Sequence, residues 1–180
     1  MHDPPSSSRS RVDALRLAML VAAFVALVAA PGRARAAVDQ GRPACDYCRM
    51  ILTDRHFGAE VTLRNGSVKI YDAVECMAAA VLTDSVAQKD IRAVALVDHA
   101  EPTARVPLDR TVFLHCPGIE SPMGQSLAAF RSGVQAQEAC TAGGSVLDWR
   151  GVLTQVNTVW FQGKLSVDAH AGVPKAKSKH

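Results

Sequence analysis

Ala59-Glu60-Val61-Thr62-Leu63-Arg64-Asn65-Gly66-Ser67-Val68-Lys69-Ile70-Tyr71-Asp72 is the stretch from which the fold is read. Apolar and polar residues alternate from Ala59 to Leu63, as in a strand with one face on a core. Asn65-Gly66 is the strongest short hairpin signal, because both residues tolerate the left-handed backbone of a tight reversal. Val68-Lys69-Ile70-Tyr71 is the returning strand. Asp72 then reads as a helix N-cap, with Glu75 three residues on completing a capping-box-like start. Ala73 to Leu82 is rich in helix-forming Ala and has an apolar face. Ile91 to Val97 reads as a buried strand. The first unit is therefore strand, strand, helix, strand.

The same order recurs downstream without visible sequence identity. Thr111 to His115 reads as a strand ended by Cys116-Pro117-Gly118, and Ser121-Pro122-Met123-Gly124 as a turn. Leu127 to Phe130 is a short strand. Val134 to Thr141 is a helix closed by Gly143-Gly144. Val146-Leu147 is a short strand, and Trp149 to Phe161 a final helix. The expected fold class is α+β, with two similar small strand-strand-helix-strand units over 45–100 and 101–165. Residues 37–44, with Gly41 and Pro43, read as a polar linker. Residues 166–180, with Lys175, Lys177 and Lys179, read as a disordered, solvated tail.

The first 36 residues read as a secretory signal peptide. Arg9, Arg11 and Arg16 lead an apolar run from Leu17 to Ala30, Pro31-Gly32 breaks it, and Ala34-Arg35-Ala36 supplies a small-residue cleavage site before Ala37. The run is short against the roughly 20 residues of a spanning helix, so no stable membrane insertion is expected after cleavage. No cysteine lies in or just after it, so no lipid anchor is expected. The expected location is the periplasm or another exported space.

Removing this leader changes the charge. Of 20 basic and 17 acidic residues in the chain, the leader carries five and two, leaving 15 of each. The formal +3 thus belongs to the leader, and nothing favours nucleic acid as a partner. The full chain of 180 residues is 48% apolar and only 5% aromatic, so a core can form on Val, Leu, Ile and Ala.

Chemistry concentrates in Cys45-Asp46-Tyr47-Cys48-Arg49-Met50, where two thiols and a thioether fall within six residues. Such soft donors select Cu(I), zinc or iron–sulfur over hard cations. A Cys-x-x-Cys pair also serves as a disulfide, a redox pair or half a zinc site. Haem attachment needs His directly after the second Cys, and Arg49 stands there. A thioredoxin-like site needs the pair to open a helix after a strand, whereas a Pro-containing linker precedes it. A structural zinc site needs a second close pair, and Cys76, Cys116 and Cys140 are solitary in sequence. Cys76 reads equally as core or as a residue near the metal. Cys116 and Cys140 read as core or as a mutual disulfide. His56, His99, His170 and His180 lack partners at ligand spacing and read as surface. Met123, in a Pro-Gly turn, could bring a thioether toward the sulfur motif.

Three segments carry a family resemblance: Cys45 to Met50; Tyr71-Asp72-Ala73-Val74-Glu75-Cys76; and Ser121-Pro122-Met123-Gly124-Gln125 with Gly143-Gly144. From about Cys45 to Trp160 the chain resembles the NosL family of exported copper chaperones, which serve nitrous oxide reductase maturation. The resemblance implies an α+β fold of two strand-strand-helix-strand units. By motif, Cys48 and Met50 match the family's Cys-x-Met, and Met123 matches the Met of its Pro-Met-Gly, so all three would be Cu(I)-site residues. Cys45 is a further candidate. Many members carry Gly where Arg49 stands, and many are lipoproteins. The function so implied is not enzymatic: an exported Cu(I) chaperone with a copper-receiving client such as nitrous oxide reductase. The alternatives are a thiol–disulfide oxidoreductase using Cys45 and Cys48, and a structural zinc domain.

Overall fold

A computed structural model describes residues 43–172. The leader, most of the linker and the last eight residues lie outside that range. The described chain is α+β. Strands β1 (Ala59–Leu63), β2 (Val68–Tyr71), β3 (Ile91–Val97) and β4 (Arg105–Pro107) form an antiparallel sheet in the order β2-β1-β3-β4. Helix α1 (Val74–Leu82) lies between β2 and β3 in sequence. Strands β5 (Val112–His115), β6 (Leu127–Phe130) and β7 (Ser145–Leu147) form a second antiparallel sheet, ordered β6-β5-β7. Helix α2 (Gly133–Glu138) precedes β7, and helix α3 (Trp149–Phe161) ends the described elements. No helix among the described residues is long and apolar enough to cross a membrane.

The hairpin turns where the Asn-Gly pair predicts. Gly66 takes a φ of 89°, and Asn65 Oδ1 accepts from the backbone N of Ser67 at 3.0 Å. Strand β4 has no counterpart in the sequence reading. Three residues are too few to show alternation, and Pro107 can sit there because β4 is an edge strand that need not donate on its outer side. It pairs with β3, so the first sheet extends past residue 100.

Every residue of α1 is buried. A helix apolar nearly all round belongs inside a protein, and α1 packs against both α3 and β6. Val61, Leu96, Phe113, Leu127, Leu153 and Val156 share its core. Each such large apolar side chain contributes about 1.5–3 kcal/mol on burial. The second sheet is covered on both faces. Phe113, Leu127 and Ala129 face the α1 core, while Leu114, Ala128 and Phe130 join Phe57 and Ala136 of α2 in a smaller cluster. That cluster is bordered by the Cys116–Cys140 disulfide. Gly144 is needed beside it, since a Cβ there would lie 2.8 Å from both Cys140 Sγ and the His115 carbonyl.

Two expectations are corrected. Residues 166–172 do not begin a solvated tail. Leu165, Val167 and Ala171 pack against the main core, and Asn157 holds Leu165 through both its amide oxygen and nitrogen. His170 is buried rather than on the surface, and His99 is half-buried. His99 packs against Phe57 and Phe130 with ring centroids 4.9 and 5.4 Å away. An isolated imidazole in a sequence carries no sign of which apolar rings will close over it.

Candidate metal centre

The sulfur motif forms a tight loop. The backbone N of Cys45 donates to the Met50 carbonyl at 2.8 Å, and that of Arg49 to the Cys45 carbonyl at 3.0 Å. Arg49 sits in the left-handed region with a φ of 66°, a conformation natural for Gly and costly for a side chain bearing a Cβ. Ala44 bridges Ile51 across the neck of the loop. Asp46 fastens the loop to β2. It accepts from the backbone N of Ile70 at 2.8 Å and from Lys69 Nζ at 2.9 Å, while its own N donates to the Ile70 carbonyl at 2.7 Å. Tyr47 stacks on Trp160 of α3, with centroids 6.4 Å apart and planes 8° from parallel.

This anchoring carries Cys45 inward until it is fully buried and leaves Cys48 half-buried. Beneath them lies the start of α1. The thiols of Cys45, Cys48 and Cys76 and a carboxyl oxygen of Asp72 all lie within 4.8 Å of one another. The Cys48 thiol donates to Asp72 Oδ2 at 3.6 Å. Asp72 is 4% exposed, and its other oxygen has no hydrogen-bond partner. The three thiols are not joined by disulfides. The remaining two cysteines are joined to each other.

The thiols differ electrostatically. A hydrogen bond from the Cys76 thiol holds Cys45 below the ordinary thiol range, against the opposing effect of burial. Cys76 is pushed up, first by that same bond and then by burial and the neighbouring Asp72. Cys48 is raised, chiefly by burial. Cys45 is thus the member of the cluster best placed to be a thiolate before any cation arrives, and the thiolate is the form that binds a metal.

Of the four residues expected at a metal site, Cys45 and Cys48 are brought together. Met50 is 53% exposed at the loop's end. It lines a pocket of about 190 Å³ together with Asp72, Glu120 and Pro122, so the pocket joins the sulfur motif to the Met123 turn. Met123 is half-buried and packs on the apolar cluster that contains Cys45 and Cys76 and is flanked by Cys48. A larger cleft of about 700 Å³, beside Arg55, His56 and Arg105, contains neither Cys nor Met. Donor chemistry rather than size therefore marks the site.

Asp72 is the residue that sequence reasoning missed, while Cys76, read equally as core or as a residue near the metal, is both buried in the core and part of the cluster. Asp72 does not cap α1. The N-cap is Ala73, without a side-chain bond, and Glu75 is turned inward to accept from the Ser121 hydroxyl. The available signal was spacing: Asp72 and Cys76 are four apart across a helix start, which sets both on one side of it.

The fold and the cluster define a class: a small α+β domain whose thiol-rich candidate metal centre lies between a Cys-x-x-Cys loop and the start of a buried helix. The chain belongs to the NosL family, whose profile matches residues 37–156. Among solved structures, it is similar to a crystal structure of the copper chaperone NosL from Shewanella denitrificans, at 15% identity and a TM-score of 0.48. That match covers 57% of this chain and 85% of the other. No curated protein matches the chain.

Proposed function

We propose that this NosL-family protein is an exported, non-enzymatic Cu(I) chaperone that carries copper to a client cuproenzyme, with nitrous oxide reductase the client that the family resemblance favours. One observation carries the reading. Three unpaired thiols and a carboxyl converge within 4.8 Å while the other two cysteines are bonded to each other. An exported space is oxidising, and thiols kept free there need a ligand to hold. Cys45 and Cys48 supply thiolates to copper, and Met50 and Met123 approach as neutral thioethers from the solvent-side loop and the turn. Asp72 holds the Cys48 side chain toward the cluster, and Cys76 steadies Cys45. Thiolate and thioether donors together favour Cu(I). Thioethers release easily, so a client's donors can displace them first while a thiolate retains the ion.

A second reading has its own support. Three Cys and one Asp make a four-donor set of the kind that closes around a structural zinc ion. Competition separates the two. Reduced protein, titrated with Cu(I) against a chromogenic chelator and challenged with excess zinc, is expected to bind one Cu(I) per chain and keep it. Equal or tighter zinc binding would replace the chaperone by a zinc domain. The leader reading adds that protein recovered from the exported fraction begins at Ala37, as intact-mass measurement would show.

A further inference from the structure

We propose that Glu75 and Ser121 form a positioning latch that holds the Met123 turn against the thiol cluster, so that the Met123 thioether meets copper in one fixed geometry. This rests on the reading of Met123 as a copper donor. Glu75 is fully buried on α1, next in sequence to Cys76. Consecutive helical residues point about 100° apart, so one helix presents Cys76 to the Cys45 loop and Glu75 to the Met123 turn.

The contacts converge on Ser121. Its hydroxyl donates to Glu75 Oε1 and accepts from the backbone N of Ser126 at 3.0 Å. Its carbonyl accepts from the Gly124 N at 2.9 Å, closing the turn around Pro122 and Met123. The Gln125 carbonyl accepts from Gln155 Nε2 of α3 at 3.2 Å. Gly124 and Ser126 hold left-handed φ values of 73° and 56°. Such backbone persists only where its surroundings over-determine it.

An apolar residue at position 75 would pack in the core at lower cost, since a buried carboxyl loses its hydration. Glu75 and Gln125 are nonetheless buried polar residues at this junction. What they provide is a single register between helix and turn. Outer contacts that orient a metal's ligands act in this way.

Cu(I) affinity of the reduced full chain, with the copper–sulfur count from X-ray absorption, tests the latch. Ser121→Ala and Glu75→Leu are each expected to weaken binding about 10–100-fold, the range for partners that orient a metal ligand. Each should remove one sulfur from the coordination, as Met123→Leu should. Glu75→Gln keeps an oxygen to accept from Ser121 and should restore both readouts. Ser121→Ala combined with Met123→Leu should lose no more than Met123→Leu alone. If Glu75→Leu does not fold, Ser121→Ala decides, since it removes a single hydroxyl. Met123→Leu losing affinity while Ser121→Ala keeps full affinity and sulfur count would overturn the latch alone. Additive losses in the double variant would do the same. An unaffected Met123→Leu would overturn the Met123 reading and the latch with it.

Discussion

Helix α2 of the second unit starts as a surface helix should. Ser132 caps it by accepting from the backbone N of Gln135 at 3.3 Å, and only Ala136 is buried. Helix α1 holds the same place in the first unit, yet it has no side-chain cap and no exposed residue. The polar residues that could have capped it are used elsewhere: Asp72 accepts from Cys48, and Glu75 from Ser121. Enclosure by α3 and both sheets stabilises α1 through packing, which frees its polar residues for tertiary contacts. α2 has little packing and relies on its cap. The sulfurs divide likewise. The second unit joins Cys116 to Cys140, whereas Cys45, Cys48 and Cys76 around α1 stay free. One unit ties its sulfur into a covalent bridge, and the other leaves three thiols gathered and unpaired.

The sharpest test of that division changes sulfur in each unit. Cys48→Ser should lower Cu(I) affinity by several orders of magnitude while the far-ultraviolet circular dichroism stays native. Replacing Cys116 and Cys140 together with Ala should leave copper affinity unchanged and lower the unfolding free energy by about 2–4 kcal/mol, the usual worth of such a bridge. Chelator competition and urea unfolding measure the two effects. Wild-type copper binding by Cys48→Ser, or copper loss in the disulfide variant, would break the contrast.

Caps provide a smaller contrast. Ser132→Ala should destabilise by about 1 kcal/mol, the typical worth of an N-cap. Asp72→Asn should leave thermal stability near wild type, because Asp72 caps nothing and one of its buried oxygens already lacks a partner. It should instead weaken Cu(I) binding, by loosening the Cys48 side chain. A clear stability loss in Asp72→Asn with intact copper binding would return Asp72 to the capping role that its sequence position suggested.

These cases show what was legible beforehand. Strand β1, the Asn65-Gly66 reversal and helix α3 are marked by local alternation, turn chemistry and periodicity, and α3 spans Trp149–Phe161 as read. Its cap, Asp148, accepts from the Gly151 N at 2.8 Å, because that helix end faces solvent. Asp72 likewise stands just before a helix, and that signal misleads because burial of α1 is decided by elements far away in sequence. Cys45 and Cys48 could be read as a pair from their spacing. Cys76 stayed open between core and metal site, since only the packing of α1 beneath the loop brings it to them. His99 was misplaced for the same reason, its aromatic neighbours coming from both sheets' surroundings.

His99 offers the smallest effect and tests the seam between the units. Its backbone N donates to the Ala129 carbonyl of β6 at 2.8 Å. Its ring Nδ1 lies 3.2 Å from the His56 carbonyl, and His56 Nδ1 lies 3.0 Å from the His99 carbonyl. A carbonyl only accepts, so each Nδ1 donates. Asp54, Asp98 and His56 are the titratable groups that act on His99, and Asp98 is itself paired with Arg131 next to β6. Burial is the largest influence, and it holds the His99 imidazole below its ordinary value of 6.5. The sign follows from proton counting. Below about pH 6.5 the unfolded chain binds a proton at His99 that the folded chain resists. This contribution to stability is therefore fully present above the ordinary value, and it is lost as pH falls through that value toward the folded one. Unfolding free energy should drop between about pH 7.5 and 5.5 in the wild type. His99→Gln, which has no proton to gain, should show a shallower drop, with the two curves converging at the acid end. A wild-type profile no steeper than that of His99→Gln would show that the seam does not depend on a neutral imidazole. The Asp98–Arg131 pair would then be the next contact between the units to test.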